Sequence, residues 1–63
     1  MSQALVSVII PTYKRTHYLE ETLNSIISQT YSNIEIIVVD DGTPGDDNEK
    51  LCSRYKNVSY IKI

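Results

Sequence analysis

Cysteine, glycine and proline are scarce, with one, two and two residues in a chain of 63. A single cysteine cannot close an internal disulfide, which fits a reducing compartment. No apolar run approaches the ~20 residues of a membrane-spanning helix. The run nearest the amino terminus, residues 5–10, is shorter than a signal-peptide core and follows no basic leader. The expected location is therefore cytoplasmic, or the cytoplasmic face of a membrane. Six basic residues stand against eight acidic ones, a formal net charge of −2. They form no basic stripe, which argues against general nucleic-acid binding. An α/β domain normally needs about 100 residues or more, and a chain this short buries only about 60% of its unfolded surface. Marginal stability is expected.

What the chain does contain is two β-branched runs that each end in turn residues. Val6-Ser7-Val8-Ile9-Ile10 leads into Pro11-Thr12-Tyr13-Lys14-Arg15, and Ile34-Glu35-Ile36-Ile37-Val38-Val39 leads into Asp40-Asp41-Gly42-Thr43. Such runs suit strands buried in a parallel sheet. Pro11 should end the first, since it offers no N–H to a ladder. Between them Thr16 is an expected N-cap for a helix over residues 17–29, with Glu20 and Glu21 near its positive end. Leu19, Leu23, Ile26 and Ile27 make one apolar stripe facing the sheet. After the second strand, Thr43, Pro44 and Asp46 read as cap, first position and capping-box acid of a helix reaching about residue 56. That helix should bury Leu51, Cys52 and Tyr55, and residues 58–63 read as a third strand. The expected fold is α/β, a β-α-β-α-β unit with a parallel sheet in the order 3-2-1. It accounts for one half of a doubly wound sheet, the other half being expected outside residues 1–63.

In open parallel sheets ligands bind in the crevice beyond the carboxyl ends of the strands. Here that rim carries Tyr13, Lys14, Arg15, Asp40 and Asp41. The loop after the first strand has no glycine, which excludes the dinucleotide fingerprint, and no phosphate-loop pattern is present. A phosphatase Asp-x-Asp would need an acid where Gly42 stands. A receiver domain would place its acidic pair after the first strand, not the second. A carboxylate accepts hydrogen bonds but cannot donate them, so it suits the ring N–H of uracil, thymine or guanine and disfavours adenine. Tyr13 offers an aromatic face for base stacking, worth about 1–3 kcal/mol. The pieces fit a uridine-type pocket, with Asp41 at the base edge, Tyr13 as platform and the backbone near Pro11 and Thr12 along the ribose.

Plainer readings stand beside this one. Asp40 and Asp41 also suit a simple Asp-Gly turn, and Tyr13 a packing role. Lys14 and Arg15 suit a solvated loop. His17 suits an exposed helix start, and Cys52 a small core residue. Asp46 and Asp47 are adjacent in a first helical turn, where they complement the dipole. Tyr31, Tyr55 and Tyr60 read as packing or interface residues.

Taken in order, Val6-Ser7-Val8-Ile9-Ile10-Pro11-Thr12-Tyr13-Lys14-Arg15, Tyr18-Leu19-Glu20-Glu21-Thr22-Leu23-Asn24-Ser25-Ile26, Gln29-Thr30-Tyr31 and Glu35-Ile36-Ile37-Val38-Val39-Asp40-Asp41-Gly42-Thr43 resemble the opening of a family 2 glycosyltransferase. The resemblance implies a GT-A fold, of which residues 1–63 would be the N-terminal, nucleotide-sugar-binding part. It implies transfer of a sugar from a nucleoside diphosphate donor, most often a UDP-sugar, to an acceptor hydroxyl, with inversion. It implies that Asp41 contacts the base and that Pro11 and Tyr13 line the same nucleotide pocket; with Thr12 and Asp40 from the rim they make the expected nucleotide-contacting set. A divalent metal, Mn or Mg, and a catalytic base would be supplied downstream, leaving the isolated chain inactive. Where the family commonly has asparagine after the tyrosine, this chain has Lys14. A nucleotidyltransferase shares the topology but needs a glycine- and arginine-rich first loop. A non-catalytic fragment or interaction module is the remaining alternative. Residues 6–10 are expected to form an exposed edge through which the isolated chain self-associates.

Overall fold

The computed structural model describes residues 5–29 and 33–63. The lead-in at 1–4 and most of the loop expected at 30–33, Tyr31 included, lie outside them. Five elements follow in order: β1 (Val6–Thr12), α1 (Thr16–Ile27), β2 (Ile34–Asp40), α2 (Asp47–Cys52) and β3 (Val58–Lys62). The sheet is parallel with β2 in the middle, as the alternation of apolar runs and helix predicts.

Pro11 does not end β1. It pairs in register with Val39, and the strand continues to Thr12. The Val6 amide donates to Asn33 and the Thr12 carbonyl accepts from Asp41, so even-numbered residues of β1 bond to β2. Odd-numbered residues, Pro11 among them, turn their backbone groups to the free edge, where a missing N–H breaks no rung.

The core lies on one face of the sheet. Leu19, Leu23, Ile36, Val38, Leu51 and Cys52 are buried there, flanked by Val8, Ile10, Ile26, Tyr55, Val58 and Tyr60. Ile27 falls outside this cluster: eight residues on from Leu19 is about 80° around the helix, at the margin of the stripe. The opposite face carries Ile9, Ile37, Val39 and Ile61, and among them Ile9 and Ile61 are exposed.

Both helix starts differ from expectation. Arg15, not Thr16, is the N-cap of α1, and neither helix has a side-chain cap bond. The Thr16 hydroxyl is drawn away to Asn48, and Glu20 and Glu21 lie beyond the first turn. In α2 the run predicted from Thr43 is interrupted because Gly45 adopts φ +81°, a left-handed conformation no helix continues through. The helix starts at Asp47, with Asp46 as its N-cap. It closes at Cys52, where the chain tightens into i→i−3 bonds, Arg54 to Leu51 and Tyr55 to Cys52. That turn brings the Tyr55 hydroxyl to Asn24, 2.9 Å away. Among the described residues no helix is long and apolar enough to cross a membrane.

Candidate functional site

A cleft of about 450 Å³ opens at the carboxyl ends of β1 and β2, lined by Pro11, Thr12, Tyr13, Arg15, Tyr18 and Asp41. β1 delivers Pro11 and Thr12. The chain then swings into α1 with Lys14 in the left-handed region, φ +58°, leaving Tyr13 about half exposed. The Lys14 ammonium sits 5.1 Å from the centre of the Tyr13 ring. β2 ends one residue before Asp41, whose exposed side chain reaches the cleft.

Four of the five residues expected to hold a nucleotide thus line one cavity: Pro11, Thr12, Tyr13 and Asp41. Asp40 does not. Successive strand residues face opposite sides, and Asp40 is turned inward with no exposed surface. Its Oδ1 accepts from the Thr43 amide at 2.8 Å. Its Oδ2 accepts from Asn48 Nδ2 at 3.1 Å and from the Tyr60 hydroxyl at 2.6 Å. Gly42, at φ +86°, makes the tight return that carries the Thr43 amide back over the carboxylate. Burial disfavours the charged form. The hydrogen bonds from Thr43, Tyr60 and Asn48 outweigh it and hold the Asp40 carboxyl well below the usual range. Burial, then the adjacent Asp40 charge, pushes the Tyr60 phenol up. Tyr60, read from the sequence as packing, is therefore also the donor that satisfies a buried anion.

Arg15 and Tyr18 line the cleft but were not among the nucleotide-contacting positions expected from sequence. The available signal is positional: a helix starting at once after a strand places its cap and first-turn side chains on the strand's rim. His17 points elsewhere, its Nε2 3.1 Å from Glu21 Oε1. Asp46 pairs with Lys50 at 3.5 Å along α2. Among the described residues no group of three or more His, Cys, Asp or Glu is placed to hold a metal ion, so the residues present do not fit a metal site.

Comparison with known proteins places the chain in a family. Residues 7–63 match the family described as Glycosyl transferase family 2. An uncharacterized glycosyltransferase of Rickettsia bellii is 39% identical over 63 residues, covering 97% of this chain and 9% of the relative. A second, from Rickettsia prowazekii, is 44% identical over 59 residues, 82% of this chain and 19% of the relative. Glycosyltransferase GlyA of Streptococcus pneumoniae is 42% identical over 55 residues, 87% of this chain and 8% of the relative. The chain thus spans less than a fifth of the length of each of these relatives. Its parallel β-α-β-α-β unit is consistent with a Rossmann-like GT-A fold. The match over residues 7–63 shows that the chain belongs to glycosyl transferase family 2.

Proposed function

We propose that these residues bind the nucleotide of a nucleoside diphosphate sugar, a UDP-sugar, in an intact protein that transfers the sugar to an acceptor hydroxyl with inversion. The observation that carries this is the placement of the Tyr13 ring and the Asp41 carboxylate on one cleft at neighbouring strand ends. Tyr13 supplies a stacking surface. Asp41 accepts from a ring N–H, which uracil has at N3 and cytosine lacks. Pro11 and Thr12 form the wall between them, against the ribose. In a single displacement with inversion, a base must take the proton of the acceptor hydroxyl. That base, and the ligands for a divalent metal, would lie in parts of the intact protein outside this chain.

Isothermal titration of the intact protein with UDP tests the reading. Asp41→Ala removes a hydrogen bond to a charged group, worth roughly 1.5–3 kcal/mol, and is expected to weaken binding about tenfold to a hundredfold. Equal affinity in the two proteins would make Asp41 a turn residue only.

A further inference from the structure

We infer that the buried network centred on Asp40 is a positioning device that sets the distance between the two walls of the cleft, with Thr43 as its key positioning residue. The inference rests on the reading of the cleft as a uridine nucleotide site. Asp40 and Asp41 are neighbours in sequence but serve opposite sides of the rim, one inside the domain and one on the cleft. Any tilt of the Asp40 backbone is therefore transmitted through one peptide unit to the Asp41 carboxylate. On the other wall Tyr13 precedes Lys14, whose amide donates a 2.7 Å hydrogen bond to Thr43 Oγ1.

Thr43 joins these two points. Its amide holds Asp40 while its hydroxyl oxygen receives the Lys14 amide and, at 3.3 Å, Asn48 Nδ2. Asn48 in turn accepts a 2.5 Å hydrogen bond from the Thr16 hydroxyl at the start of α1. Asp40, Thr43 and Asn48 are all buried, and no buried side-chain N or O atom among the described residues lacks a partner. The network therefore ties the loop after β1 to the loop after β2 through Lys14 and Thr43, and the start of α1 to α2 through Thr16 and Asn48. A buried polar network with every partner satisfied favours one arrangement over its neighbours, because each displacement leaves a group unpaired in low dielectric. Base discrimination needs such rigidity: a carboxylate selects uracil over cytosine only if it is held against N3, and it repels cytosine's N3 lone pair only from the same position.

The test compares UDP and CDP affinities by titration calorimetry in the intact protein, alongside thermal melts. Thr43→Val keeps the shape but removes the hydroxyl, and Thr43→Ser restores it. Thr43→Val is expected to lower the UDP-to-CDP affinity ratio at least fivefold, chiefly through weaker UDP binding, and Thr43→Ser to return it to within twofold of wild type. A Thr43→Val protein that melts earlier yet keeps the wild-type ratio would overturn the inference, since Thr43 would then act on stability alone. If Thr43→Val does not fold, Thr16→Val decides in the same way, an unchanged ratio again overturning the inference. Wild-type protein binding neither nucleotide would remove the donor-site reading itself, a failure distinct from a retained ratio.

Discussion

The Asp41 amide donates a 2.9 Å hydrogen bond to the Thr12 carbonyl, the rung that closes the last pair of β1 and β2, Thr12 with Asp40. This last rung keeps the two strand ends together as they leave the sheet, so the cleft wall formed by Pro11 and Thr12 moves with the residue that faces it. Further out, the Lys14 amide and Thr43 hydroxyl take over the same task. The rim is therefore zipped from the sheet outward, by backbone first and by buried side chains next.

Stability should fall at both extremes of pH, for reasons centred on one carboxylate. The Asp40 pKa lies below its ordinary 3.8 in the folded chain, so below that value the unfolded state binds the proton first and stability falls with falling pH. The Tyr60 pKa lies above its ordinary 10.0, so above that value the unfolded state loses its proton first and stability falls with rising pH. Tyr60→Phe should lower stability by roughly 1.5–3 kcal/mol near neutrality, the worth of a hydrogen bond to a charged group, and flatten the alkaline limb. Thermal melts from pH 2 to about 12 check both limbs; an unchanged alkaline limb in Tyr60→Phe would assign it to other groups.

Lys14→Asn is expected to stabilise the fold. At φ +58° an ordinary L-residue bears roughly 1–2 kcal/mol of steric cost, which asparagine tolerates better. Removal of the exposed contact with the Tyr13 ring takes back about 0.5–1 kcal/mol. The net gain is up to about 1 kcal/mol, read as a higher urea midpoint at unchanged slope. A lower midpoint would show that the ring contact outweighs the backbone strain.

Cys52 should resist thiol reagents until the chain unfolds. It is buried in the core, and burial together with the Asp40 charge pushes its pKa up to about 11. At pH 8 about one thiol in a thousand is then ionised, and the thiolate is the reactive form. Labelling with a chromogenic disulfide should be slow in buffer and complete within the mixing time in strong denaturant. Rapid labelling in buffer would indicate frequent opening of the α2 face.

The isolated chain is expected to self-associate through β1. That strand lies at the sheet edge, odd-numbered residues turn their backbone groups outward, and the Ile9 side chain is 66% exposed. Such an edge is a template for pairing with a second copy, and a lysine on it blunts the tendency. Ile9→Lys should therefore give a monomer in sedimentation velocity at micromolar concentration while changing folding stability by no more than about 0.5 kcal/mol. A wild-type chain that is already monomeric across that range would sink the expectation.

The sequence by itself determined the element order, the parallel pairing and the rim. The β-branched runs 6–10 and 34–39, with a helical stripe between them, allow no other economical arrangement, because two parallel neighbours need a crossover and burial of both runs needs a helix on the sheet. Pro11, Thr12, Tyr13 and Asp41 were legible as cleft residues because they lie next to strand ends, whose position follows from local pattern. What only the tertiary structure decided depends on contacts between distant residues. The division of labour between Asp40 and Asp41 turns on Tyr60 and Asn48, which lie 20 and 8 residues from Asp40. The loss of Thr16 as a cap turns on Asn48, 32 residues away. The delayed start of α2 turns on the left-handed Gly45, whose carbonyl accepts from the Lys62 ammonium 17 residues away. Local propensity assigns a carboxylate or hydroxyl to the nearest free backbone group; burial reassigns it to whichever partner lets the whole buried set be satisfied at once.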